Sequence, residues 1–128
     1  MSDEQKAKSD LSTRTRQLAV RVIRLSTKLT KTLEARTIRN QVLRGGTAVG
    51  AHYCEAKRSR SPAEFISKVE TALQELDETG YWLDLLAESG IVSPHMLAGL
   101  RDEVNQLTAM LVASAKTAKQ RRAGTKDS

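Results

Sequence analysis

The stretch from Ser61 to Gly90 constrains the fold more than any other, because it describes one uninterrupted amphipathic helix with both ends marked. Ser61 supplies an N-cap oxygen, Pro62 suits the first helical position, and Glu64 stands where a capping box is closed. Gly90 offers a left-handed C-cap. One apolar face recurs at helical spacing, formed by Phe65, Val69, Ala72, Leu73, Leu76, Gly80, Leu83 and Ala87. About eight helical turns in one piece indicate an all-α architecture.

Three further helices are predicted, at about residues 12–33, 35–57 and from Ser93-Pro94 onward. Their apolar stripes are Leu18, Val22, Leu25 and Leu29; Ile38, Val42, Val49 and Tyr53; and Leu97, Leu100, Val104, Leu107 and Leu111. The linkers are short, which favours antiparallel neighbours. The sequence therefore predicts an antiparallel up-down-up-down four-helix bundle over residues 12–119, with disordered segments at 1–11 and 120–128.

Composition argues against several function classes. The chain has no Gly-rich phosphate loop, its N-terminus is polar, and no apolar run approaches the ~20 residues that span a bilayer. Together with a single cysteine, this predicts a soluble cytoplasmic protein. His52 and Cys54 lie two apart on one helix and point in nearly opposite directions, while His95 is distant in sequence. We therefore predict no metal, no cofactor and no catalytic site, and a protein that is not an enzyme.

The positive charge is segregated along the chain. The net charge is +6, yet residues 12–33 hold six basic side chains and no acid, and residues 35–60 hold six more against Glu55 alone. The helix at 61–90 reverses the sign, with Lys68 against seven acids, and the chain turns basic again after Ala115. Such a molecule is electrostatically polarised.

The basic segments are the candidate nucleic-acid surface, because regularly spaced cations can follow a phosphate backbone. The residues concerned are Arg14, Arg21, Arg24, Lys28, Lys31, Lys57, Arg58, Arg60, Arg121 and Arg122. An alternative for the cations of the first helix is pairing, within one subunit or between subunits, with Glu70, Asp77 and Asp84, which repeat every seven residues. With few aromatic residues for base stacking, binding would be dominated by backbone charge and shape.

A second set of residues predicts self-association. Gly45, Gly46 and Gly50 lie inside the second helix, where small residues allow the close approach of a neighbour. Trp82 and Leu86, with Leu85, point away from the main apolar stripe, and a second apolar patch on a helix is usually buried against something else. These features predict a homo-oligomer.

Two segments resemble the four helix bundle protein family, also called the 23S rRNA intervening-sequence proteins. The run Gln41–Ala56 is similar to that family's second-helix pattern at Gln41, Arg44, Val49 and Glu55, with His52 and Ala56 in place of an asparagine and a glycine. The run Glu78-Thr79-Gly80-Tyr81-Trp82-Leu83 looks like its third helix. The resemblance covers about residues 15–118.

The resemblance implies an antiparallel bundle assembling as a ring, typically a homopentamer, in a bacterial protein. Distant relatives are accessory proteins of diversity-generating retroelements, in which a basic pentamer binds nucleic acid and a reverse transcriptase. The family has no established catalytic residues. From charge and resemblance together we expect an oligomeric, non-enzymatic nucleic-acid-binding protein with a preference for RNA. The alternative is a protein-interaction scaffold, or an accessory subunit of a partner such as a reverse transcriptase.

Overall fold

The computed structural model describes residues 1–127 and contains four α-helices. They are α1 (Asp3–Lys28), α2 (Leu33–Lys57), α3 (Pro62–Glu88) and α4 (Pro94–Asp127). Each helix packs against the next one in the chain and α4 returns to α1, whereas within the described residues the backbones of the diagonal pairs α1–α3 and α2–α4 do not approach each other closely. The predicted all-α four-helix bundle is confirmed, while the oligomeric ring stays a prediction.

Close contacts between neighbouring helices show that they run antiparallel. A methyl group built on Gly46 of α2 would meet Val22 of α1, and one built on Gly50 would meet Thr15. Later residues of α1 therefore lie beside earlier residues of α2. One end of the bundle holds the α1–α2 and α3–α4 connections, and the opposite end holds the chain termini and the α2–α3 connection.

The first and last helices are longer than the sequence pattern predicts. Residues 3–11, expected to be disordered, are helical because Ser2 accepts a hydrogen bond from the Gln5 N–H at 3.2 Å while the Gln5 side chain accepts one from the Ser2 N–H at 3.0 Å. Leu11 is buried in the core. Residues 120–127, also expected to be disordered, continue α4; Ser128 lies outside the described residues.

The connection between α1 and α2 differs from the expected single residue at Glu34. The first helix ends at Lys28, and Leu29 has an extended backbone with φ −74° and ψ 147°. Thr32 then caps α2 by accepting a hydrogen bond from the Ala35 N–H at 3.2 Å. An N-cap residue adopts an extended conformation, so a cap at Thr32 is incompatible with a helix that continues to Leu33.

Both expected ends of α3 are present, with one difference in detail. Ser61 accepts a hydrogen bond from the Glu64 N–H at 3.1 Å, and Pro62 begins the helix. The Glu64 carboxylate does not close a capping box on Ser61; it accepts a hydrogen bond from the Arg60 N–H at 3.3 Å. Gly90 has φ +78°, the left-handed conformation expected after the helix end.

The core is built from the predicted stripes of all four helices. Fully buried members include Leu18, Val42, Leu76, Leu107 and Leu111. Leu25, Leu29, Ile38, Phe65 and Leu73 pack against this core while staying partly exposed. Because the helices bury one face each, their remaining faces are available to carry charge.

Tyr53 is the largest fully buried side chain, and its hydroxyl has no hydrogen-bond partner among the described residues. Burial raises the pKa of Tyr53 to about 12, since the phenolate is costly to desolvate. The hydroxyl is therefore neutral at physiological pH and can act as a donor.

The raised pKa of Tyr53 predicts a loss of stability in alkali. Above pH 10 the unfolded chain releases the phenolic proton while the folded chain keeps it until pH 12, so the free energy of unfolding falls by about 1.4 kcal/mol per pH unit over that interval. Tyr53→Phe lacks this contribution. Urea unfolding of both proteins at several alkaline pH values measures the difference, and parallel curves for the two would contradict the assignment.

Candidate nucleic-acid interface

The ion pairs are concentrated around α3 and α4. Arg44 of α2 pairs with Glu75 and Glu78 of α3 at 3.2 Å each. Asp84 of α3 pairs with Arg101 of α4 at 2.8 Å. The remaining interhelical pairs are Glu70–Lys119, Glu55–Lys68, Glu103–Arg14 and Glu4–Arg121. Half of the acids in residues 1–124 are thus engaged in ion pairs, on the α2–α3, α3–α4 and α1–α4 flanks.

These pairs contradict the alternative in which α1 binds the acids of α3 within one chain, while pairing between subunits stays a prediction. Helices α1 and α3 are diagonal in the bundle, and their backbones do not approach each other closely. Glu70 and Asp84 take their partners from α4, at Lys119 and Arg101. The heptad spacing is present on both helices, but spacing within one helix does not reveal which helix lies next to it.

Two of the ten predicted phosphate-binding residues are engaged in ion pairs between α1 and α4. Arg14 is half-buried and donates through Nε and Nη2 to the Glu103 carboxylate at 3.1 Å, and through Nη2 to Gln106 at 2.7 Å. The Glu103 hydrogen bond raises the pKa of Arg14. Arg121 pairs with Glu4, which raises the pKa of this guanidinium. Both side chains join helices, which removes Arg14 from the nucleic-acid candidates and weakens the case for Arg121.

The other eight predicted residues are exposed, and across residues 1–124 none of their side chains has an ion pair or a hydrogen bond. They are Arg21, Arg24, Lys28, Lys31, Lys57, Arg58, Arg60 and Arg122. Their only acidic neighbours in sequence between residues 12 and 60 are Glu34 and Glu55, and Glu55 is bound by Lys68 at 2.7 Å. The α1–α2 half of the bundle therefore carries uncompensated positive charge.

The eight residues form two groups at opposite ends of the bundle. Arg21, Arg24, Lys28 and Lys31 follow α1 into the α1–α2 connection, and the Arg21 guanidinium lies over Gly99 of α4. Lys57, Arg58 and Arg60 occupy the α2–α3 connection, at the same end as Arg122 of α4. A single phosphate backbone could contact either group without distortion of the fold.

A groove between α1 and α2 adds residues that sequence reasoning missed. It has a volume of about 620 Å³ and a floor of small residues that includes Ala19, Gly50 and Ala51. Arg16 and Lys57 stand along it, together with the hydroxyl-bearing Ser12, Thr13, Thr15 and Thr47. Arg36 and Arg39 of α2 also have no ion-pair partner in the described part of the chain. Arg16, Arg36 and Arg39 were not predicted from the sequence, because nothing in the local sequence distinguishes an unpaired arginine from a paired one.

The predicted interface set is partly wrong. Leu86 is completely buried in the core, Gly45 lies against Thr79, and Gly46 lies against Val22. The close approach that these glycines permit is therefore between helices of one chain. Trp82 is half-buried, packs against the core and meets the exposed Tyr81 edge to face, with ring centroids 5.0 Å apart. Of the predicted set, Trp82 and Gly50 keep part of their surface exposed, Gly50 in the α1–α2 groove, and their place in a subunit interface stays a prediction.

The residues considered as metal ligands are spread over separate surfaces. Cys54 is exposed in the α1–α2 groove, whereas the His52 ring faces Glu55 with Nδ1 3.9 Å from the carboxylate. His95 is exposed in the first turn of α4. Among the side chains that the structure describes, no three histidine, cysteine or acidic groups are close enough to share a metal ion. No helix of the described chain is both long and apolar enough to cross a lipid bilayer.

These features define a class of small, charge-polarised four-helix bundle proteins, and the family follows from comparison with known sequences. The family model for 23S rRNA-intervening sequence proteins matches residues 7–113. The chain belongs to this family. A crystal structure of a protein of unknown function from the S23 ribosomal protein family of Bacteroides thetaiotaomicron VPI-5482 has a similar fold, with a TM-score of 0.81 and 28% sequence identity. The match covers 86% of this chain and 98% of that one. No functionally curated protein matches the chain.

Proposed function

We propose that this protein is a non-enzymatic nucleic-acid-binding protein, with RNA preferred, that contacts phosphates through the unpaired cations of its α1–α2 half. The observation that carries the proposal is the contrast between the two halves of the bundle. Arg44, Arg101 and Lys119 beside α3 and α4 are held by carboxylates, whereas the cations from Arg16 to Arg39 have no ion-pair partner in the described chain. Unpaired cations with long flexible stems keep their full charge available for counterion release from a phosphate backbone.

Two further points support RNA as the ligand. The family takes its name from sequences that interrupt 23S rRNA, and the surface offers few aromatic side chains for reading single-stranded bases. Recognition would then rest on the spacing of phosphates along a folded RNA. Assembly into a homo-oligomer, with a pentamer favoured, would repeat the basic surface and bring about +30 of charge to one RNA, from +6 per chain.

The double substitution Arg24→Ala/Lys28→Ala tests the proposed surface. Removing two unpaired cations one turn apart is expected to weaken the binding of a structured RNA about tenfold or more at low salt. The slope of log affinity against log salt concentration is expected to become shallower by roughly one to two units. Filter binding or fluorescence anisotropy over a range of salt concentrations gives both quantities.

The matched control is Arg44→Ala/Lys119→Ala, which removes the same charge from side chains already paired with Glu75, Glu78 and Glu70. Its RNA affinity is expected to fall by less than about threefold, since surface ion pairs contribute little to stability and these cations are already neutralised. Equal losses in the two variants would mean that total charge, rather than the α1 surface, drives binding. Absence of RNA binding in the wild-type protein would favour the scaffold alternative, with a protein such as a reverse transcriptase as the partner.

A further inference from the structure

The surface of the α1–α2 groove extends beyond its floor of small residues. On α2, the lining residues Thr47, Gly50 and Cys54 follow one helical stripe, and the half-buried Leu43 continues that stripe by one further turn. On α1, the stripe through Ala19 continues to Ile23 in the same way. Small residues on the floor let a third helix approach the two backbones closely, with its side chains packed between those of α1 and α2.

Exposed apolar side chains and unpaired cations flank this floor. Val20 is 39% exposed and Ile23 is 46% exposed, so the bundle itself does not bury them. Arg16 lies at one end of the groove and Arg39 toward the other, and neither has an ion-pair partner in the described part of the chain. The antiparallel register of α1 and α2 separates the two arginines by about 15–20 Å along the groove, at ~1.5 Å per residue.

The outward face of α3 presents the complementary features. Tyr81 is 57% exposed and meets the half-buried Trp82 edge to face, and Leu85 is half-buried one turn further on. Asp77 and Glu88 lie exposed on either side of this apolar patch, and neither has an ion-pair partner among the described residues. Three helical turns separate the two carboxylates, about 17 Å, which matches the spacing of the two arginines.

We propose that the outward face of α3 in one copy of this chain docks into the α1–α2 groove of a second copy. The Tyr81 ring and Leu85 would lie on the floor of small residues, while Asp77 and Glu88 would pair with Arg16 and Arg39. The two surfaces cannot meet within one chain, because both face outward and α3 is diagonal to α1. Apolar patches of similar length, bracketed by opposite charges at the same spacing, favour this pairing of surfaces over contact between two like surfaces.

Such a contact joins two different surfaces, so every copy uses both of them and the contact repeats until a ring closes. The cations assigned to phosphate lie elsewhere on α1. Arg21 lies over Gly99 of α4, and Arg24 and Lys28 follow it at helical spacings of three and seven residues. They stay exposed in the assembly. The inference therefore does not rest on nucleic-acid binding, which Arg24→Ala/Lys28→Ala tests separately.

Mixing two variants tests whether the contact joins different surfaces. Ala51→Trp fills the groove from an exposed position, and Tyr81→Arg replaces the exposed ring on α3 with a cation. By sedimentation velocity at micromolar concentration, the wild-type protein is expected to form a ring and each variant alone to be monomeric. An equimolar mixture is expected to form a 1:1 dimer and nothing larger, because one intact surface remains on each variant.

The control is Ala109→Trp, which adds the same bulk at an exposed position of α4 and is expected to assemble as the wild-type protein does. Circular dichroism at 222 nm verifies that every variant is folded. A monomeric wild-type protein, self-association of Ala51→Trp or Tyr81→Arg, or a mixture that stays monomeric would overturn the proposal.

Charge reversal tests the pairing without filling the groove. Asp77→Lys/Glu88→Lys leaves only cations at the contact and is expected to raise the dissociation constant of the assembly about tenfold or more. Adding Arg16→Glu and Arg39→Glu to the same chain restores opposite charges with the signs exchanged. The fourfold variant is expected to assemble with a dissociation constant within about threefold of the wild-type value, whichever way the docked helix runs. A fourfold variant as dissociated as the twofold one would contradict these pairs.

Discussion

Leu86→Ala is expected to lower the free energy of unfolding by about 3 kcal/mol or more. The side chain is fully buried among the helices of its own chain, so its truncation loses the transfer free energy of the removed methyl groups and leaves a cavity that the rigid helices only partly refill. Urea unfolding monitored by circular dichroism at 222 nm gives the value. The expected change is large relative to the 5–15 kcal/mol that typically stabilises a domain.

The matched control is Leu33→Ala, because Leu33 begins α2 and its side chain is 67% exposed. The same chemical change there is expected to cost less than about 0.5 kcal/mol. If Leu86 instead served contacts between subunits, its truncation would leave the unfolding of a single subunit nearly unchanged and would make stability depend more strongly on protein concentration. That result would contradict the placement of Leu86 in the core.

Gly46→Ala has the second largest expected effect on stability, a loss of about 2 kcal/mol. A methyl group at this position would lie 2.8 Å from both γ carbons of Val22, closer than carbon atoms approach in folded proteins. Val22 is fully buried and stiff at χ1, so α1 and α2 have to move apart. The clash is expected to exceed the roughly 1 kcal/mol that alanine gains over glycine within a helix.

A double-mutant cycle isolates this contact. Val22→Ala alone creates a cavity, but in the protein that already carries Gly46→Ala it makes room for the new methyl group. The double variant is therefore expected to be more stable than the sum of the two single effects predicts, by at least about 1 kcal/mol. Gly80→Ala is the control: its methyl group would lie at an ordinary 3.5 Å from Val104, so it is expected to stabilise the protein by about 0.5–1 kcal/mol. Additive effects at Gly46 and Val22 would contradict the close helix packing.

The helices themselves could be predicted because their determinants are local. The Ser61 cap, Pro62 at the start of α3 and the left-handed Gly90 are each recognisable within a few residues, and all three are present. The long termini were missed for the same local reason: Ser2 and Gln5 form a capping box that lies before any apolar periodicity begins. The segment 116–122 has no apolar stripe from which a helix could be predicted. The structure shows that its Lys119 and Arg121 instead bind acids on other helices.

The candidate surface could be predicted only in outline, because it depends on which helices are neighbours. The distribution of charge along the sequence predicted the basic half of the chain. It could not show that Arg14 is paired with Glu103, because that ion pair requires α1 to lie beside α4. The same applies to Leu86 and Gly46, whose partners are distant in sequence.

The most direct test of the proposed function is the binding of labelled structured RNA, single-stranded RNA and duplex DNA to the wild-type protein at about 50 and 200 mM salt. Six to ten phosphate contacts would weaken binding by roughly 10³- to 10⁵-fold over that range, and fewer contacts by proportionally less. We predict tight binding at low salt, structured RNA preferred, and a steep loss of affinity at the higher salt concentration. Absence of binding at low salt with micromolar protein would contradict the assignment of the α1–α2 surface to nucleic acid.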